Sequence, residues 1–385
     1  MPAISTVNSN TAVPSNSPGA STIKTPDICE LNRLAVQGLV PMFLPEKQVF
    51  SFRIVKTGQG MVNEGVSPRY TIMTLLGLRE LERSGARTPF DVNGIYASFM
   101  KDTSWIEGAG DLGLLIWMVA KLAPEQLDGV FQKYNLETAL DRYTDAREAR
   151  TMELAWFLTG LAHAGLAVPD KLASLRGLAE KTYNLLKQNR GQSGYFGHLN
   201  SSKSLAGFLR GHVGSFADQV YPIYGMSKYA MAYQLEEPAK LALDCANNIC
   251  RAQGELGQWW WLYNSRSGQL ASKYNVYSVH QQGMAPMALI AAEEATGQSF
   301  QEAIYKGLRW LPGANELGVD MRDLSQGFIW RCIYSQQKSS KYLNVLRSIL
   351  GLPAGTPPAS DLKVLYEDRC YELGWLLYAF GRFGV

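Results

Sequence analysis

The chain has 385 residues, of which 46% are hydrophobic and 18% charged, so it can bury a large core. Its formal net charge is only +3, from 37 basic and 34 acidic residues that are spread along the sequence. This balance excludes a strongly basic surface of the kind that binds nucleic acid, and neither DNA nor RNA is expected as a partner.

The five cysteines are scattered and show no C-x-x-C spacing, which predicts neither a disulfide framework nor a zinc site. We therefore expect a reducing, cytoplasmic location. Residues 1–28 are rich in Ser, Thr, Asn and Pro without the charged and apolar regions of a signal peptide, which predicts a disordered polar tail. No apolar run is long enough for a membrane helix, and no linker divides the remainder, so residues 29–385 are predicted to form one domain.

The first predicted element is a strand, because residues 49–56 alternate apolar and polar side chains. From residue 69 onward the hydrophobic period becomes helical, which indicates an all-α fold of about twelve helices. These are predicted over Tyr70–Ser84, Val92–Lys101, Asp111–Leu122, Pro124–Tyr134, Arg150–Gly165, Pro169–Asn189, Ala217–Gln234, Pro238–Gln253, Val276–Thr296, Ser299–Leu311, Tyr342–Leu350 and Leu362–Phe383.

Short breaks between these helices predict antiparallel hairpins, and a weak period of 60 to 70 residues repeats one hairpin at a time. The first helix of several pairs, such as the one that contains Glu153, is apolar nearly all round, while its partner is amphipathic. A helix buried on every side must lie inside a shell of amphipathic ones. We therefore predict an (α/α)6 toroid with a cleft at one end, and keep an open α-solenoid as the alternative.

One sequence motif and the helix layout resemble known families. The segment Gln253-Gly-Glu-Leu-Gly257-Gln-Trp259 matches the Q-x-x-x-G-x-W pattern of α/α-toroid terpenoid cyclases, in which the Gln caps an outer helix and stacks on the Trp. The twelve-helix layout and the aromatic loops are similar to the six-hairpin glycosidase-like superfamily. That resemblance implies cleavage or epimerisation of sugars at the mouth of the barrel.

Aromatic residues are concentrated between Gln253 and Met287, which predicts a ligand-binding wall. Flat rings pack against the C–H faces of a sugar, and amide or imidazole groups hold its hydroxyls. The alternative is that at least two tryptophans of the triplet Trp259–Trp261 pack the end of a hairpin. The candidate substrate-binding residues are Trp259, Trp260, Tyr221, Tyr277, Gln281 and His212.

Asp218 and His280 are the candidate catalytic pair, because each is predicted to begin an apolar inner helix in successive repeats. Such positions face one mouth in a toroid, and a carboxylate with an imidazole can transfer protons there. The alternatives are that Asp218 only caps its helix and that His280 is a buried structural histidine.

Other polar residues give weaker signals. Glu107 and Asp111 precede or begin a helix, and Glu153 needs a partner in its apolar helix, for which Arg150 is suitably placed. The glycine-rich segment Gly191–Gly214, with His198 and His212, is predicted to be a lid over the mouth. Because no metal-ligand spacing or cofactor fingerprint is present, neither a metal nor a cofactor is expected.

The leading hypothesis is a carbohydrate-active enzyme that hydrolyses or epimerises a small-molecule or oligosaccharide substrate by general acid/base catalysis. The first alternative is a terpenoid-cyclase-like enzyme whose aromatic pocket stabilises carbocations. The second is a non-catalytic sugar-binding or assembly protein on the same barrel. Carboxylates lining the mouth would favour the first hypothesis, and a dry aromatic cavity the cyclase.

Overall fold

The computed structural model describes residues 24–144, 149–200, 211–336 and 352–385, together with residue 347. The helix predicted over Tyr342–Leu350 lies outside the described residues except at Arg347, as do residues 1–23 of the predicted tail and residues 201–210 of the predicted lid. The described helices are α1 (Ile28–Leu39), α2 (Pro68–Glu82), α3 (Val92–Phe99), α4 (Ala109–Leu122), α5 (Leu127–Lys133), α6 (Leu136–Asp141), α7 (Thr151–Ala167), α8 (Lys171–Lys187), α9 (Ala217–Tyr233), α10 (Glu236–Ala252), α11 (Ala285–Thr296), α12 (Gln301–Leu308) and α13 (Cys370–Phe380).

Six of these helices, α2, α4, α7, α9, α11 and α13, form an inner ring. Each contacts its neighbours in chain order, and α13 contacts both α11 and α2, which completes the circle. Several of their sequences are apolar nearly all round, as expected for helices buried on every side. In α4, for example, every residue from Ala109 to Ala120 is buried. The predicted α/α toroid is confirmed.

The other described helices form the outer layer. Helix α10 is typical, because its buried residues Ala242, Cys245, Ala246 and Ile249 recur at helical spacing on one face. Tight connections after α7, α9 and α11 turn the chain back from the inner to the outer layer. Gly297, in a left-handed conformation with a φ of 77°, ends α11 at one of these turns.

Short strands surround one end of the ring. They are β1 (Phe43–Leu44), β2 (Val49–Thr57), β3 (Gly60–Val66), β4 (Val213–Ser215), β5 (Leu262–Asn264), β6 (Leu270–Ser272), β7 (Val276–Tyr277), β8 (Arg322–Asp323), β9 (Phe328–Ile329), β10 (Cys332–Ser335), β11 (Leu362–Leu365) and β12 (Glu367–Asp368). All the pairings among them are antiparallel, in the sheets β3-β2, β1-β2-β12, β11-β10-β7, β4-β5-β6 and β8-β9. Strands β3, β4, β7 and β12 lead into inner helices, so the sheets form the rim of the mouth.

The first and last elements of the described chain are neighbours in the toroid and contact each other. Strand β12 pairs with β2, with Asp368 opposite Ile54, and α1 packs on α13. The side-chain amide of Asn32 donates to the carbonyl oxygens of Phe380 at 3.0 Å and Gly384 at 2.6 Å. These contacts close the last repeat onto the first.

The structure differs from the predicted helices at four places, one of which is helix α6, absent from the prediction. Helix α1 was not predicted. Residues 276–296 begin as strand β7 and pass through a π-helical turn, His280–Met284, before α11. Residues 362–369 form β11 and β12 ahead of α13, because their backbone groups pair with the distant strands β10 and β2.

The axis of the ring is filled with aromatic side chains from α4, α9 and α13. Trp117 stacks on Tyr224 at 5.0 Å and on Trp375 at 5.4 Å between ring centroids, and the indole N–H of Trp375 donates to the Tyr221 hydroxyl at 3.0 Å. Tyr378 packs edge-on against Trp117. This aromatic plug separates the mouth of the toroid from a second cavity at its other end.

Candidate active site

The mouth is built from the N-terminal ends of the inner helices. Four of them carry a carboxylate in the first turn: Asp111 in α4, Glu153 in α7, Asp218 in α9 and Glu372 in α13. Negative side chains are favoured there because the backbone N–H groups at a helix start carry a partial positive charge. The ring brings these carboxylates to the same end of the protein.

The larger cavity at the mouth, of about 250 Å³, is mainly aromatic. Two arginines, Arg69 and Arg331, also line it. The remaining described residues in its wall are Tyr70, Trp156, Tyr221, Trp261, Tyr277, Tyr371, His280, Met73, Met152, Met284 and Ala217. We call this the aromatic cavity.

A smaller cavity of about 160 Å³ adjoins it, and Arg69 lines both. Its described wall is charged and consists of Arg69, Glu107, Gly108, Asp111, Arg142, Tyr143, Arg150 and Glu153. We call this the acidic-basic cavity. Together the two cavities place flat rings beside carboxylates in one opening.

The carboxylates of the acidic-basic cavity are held in place by specific partners. The Asp111 carboxylate accepts from Arg69 Nε at 2.5 Å and from the backbone N–H of Glu107 at 3.1 Å. Glu153 accepts from the Tyr143 hydroxyl at 2.5 Å and from Arg150 Nη1 at 3.1 Å. Burial and the adjacent Glu153 carboxylate raise the pKa of Tyr143, so its hydroxyl stays protonated and acts as a donor.

His280 begins the π-helical turn and forms part of the aromatic cavity. Its ring lies 4.4 Å from that of Phe216, 5.1 Å from Tyr277 and 6.2 Å from Trp261, between centroids. Burial lowers the pKa of His280 to about 3. The imidazole is therefore neutral at physiological pH and can hold a hydroxyl group, and its lowered basicity disfavours proton transfer there. A π-helical turn within an α-helix often marks a functional position.

Acid should destabilise the protein through His280. Between pH 6.5 and about 3 the unfolded chain binds a proton at this residue that the folded protein does not, so stability falls as the pH falls through this window. One such group changes the free energy of unfolding by up to about 1.4 kcal/mol per pH unit. In urea unfolding at pH 7.5 and 5.0, His280→Gln should lose about 2 kcal/mol less than the wild type on acidification. Equal losses of unfolding free energy in the two proteins would contradict the lowered pKa of His280.

Asp218 lies at the start of α9, where its carboxylate is hydrogen-bonded to the loop that precedes the helix. Its Oδ2 accepts from the backbone N–H of Ser215 at 2.8 Å and from the Ser215 hydroxyl at 2.9 Å, and it lies 3.2 Å from His198 Nδ1. The adjacent Ala217, rather than Asp218, is among the described residues that line the aromatic cavity. Asp218 and His280 begin successive inner helices, and their role as a catalytic pair stays a prediction.

The predicted substrate-binding residues divide into two groups. Tyr221 and Tyr277 line the aromatic cavity. Of the tryptophan triplet, Trp261 is among the described residues that line this cavity. Trp259 is fully buried instead, and the Trp260 indole N–H donates to the carbonyl of Ala252 at 2.8 Å.

Gln281 and His212 also lie outside the described wall of the aromatic cavity. Gln281 is fully buried, and its amide donates to the carbonyl of Tyr277 at 3.2 Å. The carbonyl oxygen of His212 accepts from the Ser265 backbone at 2.8 Å, and burial followed by the charge of Arg266 lowers the pKa of the imidazole. Binding roles for these two residues stay predictions.

The Q-x-x-x-G-x-W segment forms a structural clamp between outer helices. Gln253 follows α10, and its side-chain amide donates to the carbonyls of Gly257 at 3.0 Å and Ala303 at 2.9 Å. Gly257 has a φ of 93°, and a side chain there would overlap the backbone at Lys306. The motif thus fastens α10 to α12 and places Trp259 beside α12.

Several residues of the mouth were not singled out from the sequence. Arg69, Trp156 and Tyr371 lie close to the start of inner helices, so position in the predicted toroid was an available signal. Arg331 lies between β9 and β10, where the sequence offers no comparable indication. Its Nη1 is 2.5 Å from Oε1 of the buried Glu372, and its guanidinium lies 5.0 Å from the Tyr277 ring centre.

No protein-family model matches the chain, and no curated protein matches its sequence. Solved structures do match its fold. A sugar epimerase from a ruminal bacterium is 11% identical with a TM-score of 0.61, over 93% of this chain and 99% of that one. A possible member of the GH105 family from Klebsiella pneumoniae is 10% identical with a TM-score of 0.59, over 97% and 99%. The unsaturated glucuronyl hydrolase of Bacillus sp. GL1 is 14% identical with a TM-score of 0.58, over 92% and 95%.

The fold of these structures is the same α/α toroid as that of this chain. The likeness extends over nearly the whole length of the chain and of each similar structure. At these identities it concerns the architecture of the toroid. Among the residues that the structure describes, the toroid also has no helix with the length and apolar character needed to cross a bilayer.

Proposed function

We propose that the protein is a carbohydrate-active enzyme that hydrolyses or epimerises a sugar by general acid/base catalysis at the mouth of the toroid. The observation that carries this proposal is the contact between the two cavities through Arg69, which joins a surface of flat rings to a set of oriented carboxylates. The sugar-active names of structures with the same fold add support.

The aromatic cavity suits a pyranose ring. Trp261 and Tyr277, whose ring centroids are 5.0 Å apart, offer faces for the C–H surface of the sugar. His280 and the two arginines supply polar groups for its hydroxyls. Guanidinium groups also favour a carboxylate on the sugar, and several of the similar structures are named as glucuronyl hydrolases. We therefore expect acidic sugars to bind better than neutral ones.

The proton-transferring groups in this proposal are Asp111 and Glu153. They begin adjacent inner helices, and both lie in the wall of the acidic-basic cavity next to Arg69. In hydrolysis one carboxyl group protonates the leaving oxygen while the other activates water or attacks the sugar. In epimerisation such groups remove a proton from carbon and return one to the opposite face. His280 holds a hydroxyl, and Asp218 shapes the loop that enters α9.

Trp261→Ala should weaken sugar binding while leaving the fold intact, because Trp261 lines the cavity rather than the core. We expect KM to rise about tenfold, which corresponds to 1.4 kcal/mol of lost ring contact. The wild type would first be screened with neutral and uronic-acid mono- and oligosaccharides, by NMR for both reducing-end release and stereochemical inversion. KM and kcat would then be measured on the substrate found.

Trp261→Phe is the matched control, since it keeps an aromatic face and should recover most of the affinity. An unchanged KM in Trp261→Ala would remove the aromatic cavity from the binding site. If no sugar in the panel is bound or converted by the wild type, the proposed function itself fails. Binding without conversion would instead favour a non-catalytic sugar-binding protein.

The terpenoid-cyclase alternative has less support. The aromatic cavity contains rings that could stabilise a carbocation, but Arg69 and Arg331 also line it. Both guanidinium groups are paired with carboxylates, so the wall carries ion pairs and is not the dry aromatic lining expected of a cyclase. The Q-x-x-x-G-x-W segment, which suggested this chemistry, acts here as a clamp between outer helices.

A further inference from the structure

A second cavity lies at the end of the toroid opposite the mouth. It has a volume of about 110 Å³, and all six inner helices contribute to its wall. Most of its polar lining comes from the second halves of these helices, as with Glu80 in the last turn of α2 and Lys121 in the last turn of α4. The aromatic plug separates it from the aromatic cavity. We call it the rear cavity.

The rear cavity holds more positive than negative charge. Among the described residues that line it, three are cationic and two are acidic: Lys121, Lys228, Arg382, Glu80 and Glu294. Lys121 Nζ lies 2.6 Å from Glu80, and Lys228 Nζ lies 2.6 Å from Glu294, to which Arg382 adds a contact at 3.4 Å. One positive charge is therefore left over in the wall.

Two of these cations, Lys121 and Lys228, are poorly hydrated and lie close enough to affect each other, whereas the Arg382 side chain is 49% exposed. The side chains of Lys121 and Lys228 are only 18% and 12% exposed. Burial lowers the pKa of Lys121 and outweighs the opposing effect of its partner Glu80, while the nearby Arg83 and Lys228 add to the lowering. The position of Lys121 is explained by the partial negative charge at the end of α4, which a cation in the last turn stabilises. Lys228 lies more than a turn before the end of α9, so this explanation does not apply to it.

Two tyrosine hydroxyls and an imidazole complete the wall. The hydroxyls of Tyr224 and Tyr378 are hydrogen-bonded to each other at 2.5 Å, and Tyr224 also bonds His163 Nε2 at 2.9 Å. Burial, together with the charges of Lys121 and Lys228, holds the pKa of His163 well below its usual value, so the imidazole is neutral. Two largely buried lysines beside a hydroxyl network, with the extra charge of Arg382 at the edge, are suited to an oxyanion. The volume is too small for a sugar ring with its hydration.

We propose that the rear cavity binds a phosphate-type oxyanion, either free phosphate or the phosphate group of a small monoester. Lys228 and Lys121 would be its charged ligands, because each has N–H groups beyond the one directed to its glutamate. Since the rear cavity is separate from the mouth, anion binding and sugar conversion can each fail without the other.

The test is calorimetric titration of the full chain with sodium phosphate and with glycerol 3-phosphate, at constant ionic strength set by sodium chloride. Saturable binding is expected, with a rise in Tm on the order of 3 °C at a hundredfold excess over Kd. The Kd values for the two probes, or binding of one probe alone, show whether the free ion or the ester is preferred. Lys228→Met should weaken the affinity by about tenfold or more, the loss expected for a charge-assisted hydrogen bond.

Two further variants make the test independent of folding defects. Glu294→Gln removes a negative charge from the wall and should strengthen anion binding several-fold, which no general destabilisation would do. Lys181→Met, on the outer helix α8 with its side chain 40% exposed, should leave the affinity unchanged. Absence of saturable binding in the wild type, or equal affinity in Lys228→Met and the wild type, would overturn the proposal.

Discussion

Replacing Glu153 by glutamine is expected to lower kcat by about 10² to 10⁴, the range that a positioned acid or base contributes. Glutamine has nearly the same shape and can still accept from Tyr143 and interact with the first turn of α7, but it cannot transfer a proton. Asp111→Asn should have an effect of similar size, since two carboxyl groups share the work in such a mechanism. KM should change little, because the sugar ring is held by the aromatic cavity.

The matched control for this prediction is Glu180→Gln, the same substitution at an exposed position of the outer helix α8. It should keep full activity. His280→Ala and Asp218→Asn belong in the same series, because they test the pair predicted from the sequence. If Glu153→Gln and Asp111→Asn keep wild-type kcat while His280→Ala and Asp218→Asn lose it, the assignment of the acidic-basic cavity is wrong.

Introducing a methyl group at Gly113 should destabilise the toroid strongly. Helices α4 and α7 touch through Gly113 and Gly160, and a Cβ at Gly113 would overlap the backbone of Phe157 and Trp156. Because backbone rather than a movable side chain is in the way, the two helices must separate. Gly113→Ala should therefore cost about 3 kcal/mol, the upper part of the usual range for overpacking, and lower Tm by roughly 4 °C.

Gly177→Ala is the matched control, since Gly177 lies in the outer helix α8 with no atom near its Cβ position. There the substitution should stabilise by about 0.5–1 kcal/mol, because alanine favours the helix over the unfolded chain. Urea unfolding of both variants measures the difference. A Gly113→Ala protein as stable as the wild type would show that α4 and α7 are less closely packed than described.

The fold could be predicted from sequence because its main signals are local. A helix that is apolar on all sides, such as α4, has to be inside, and a one-sided helix such as α10 has to be outside. Helix α1 carried a comparable pattern in Leu31, Leu34, Ala35 and Leu39, which follows directly on the polar tail. In contrast, β11 and β12 depend on pairing with strands far away in the chain, and helical periodicity alone does not reveal this.

The candidate site was less accessible to sequence reasoning. That inner helices begin at the mouth could be predicted, but which member of Trp259–Trp261 faces the cavity depends on the loop geometry set by Gln253 and Gly257. Arg331 reaches the aromatic cavity from the connection between β9 and β10 and is held by Glu372, forty-one residues later. Such distant partners have no spacing that a sequence pattern can show.

Among the described residues, the aromatic plug closes the inner end of the mouth. Trp117 and Trp375 occupy the axis at the depth where a tunnel would have to continue, and both are fully buried. A polymer therefore has no path along the axis of the ring, and a molecule that reaches the carboxylates enters and leaves at the mouth. In the proposed enzyme, reactant and product would share this entrance, so each product would have to leave before the next molecule enters, and accumulated product should act as a competitive inhibitor.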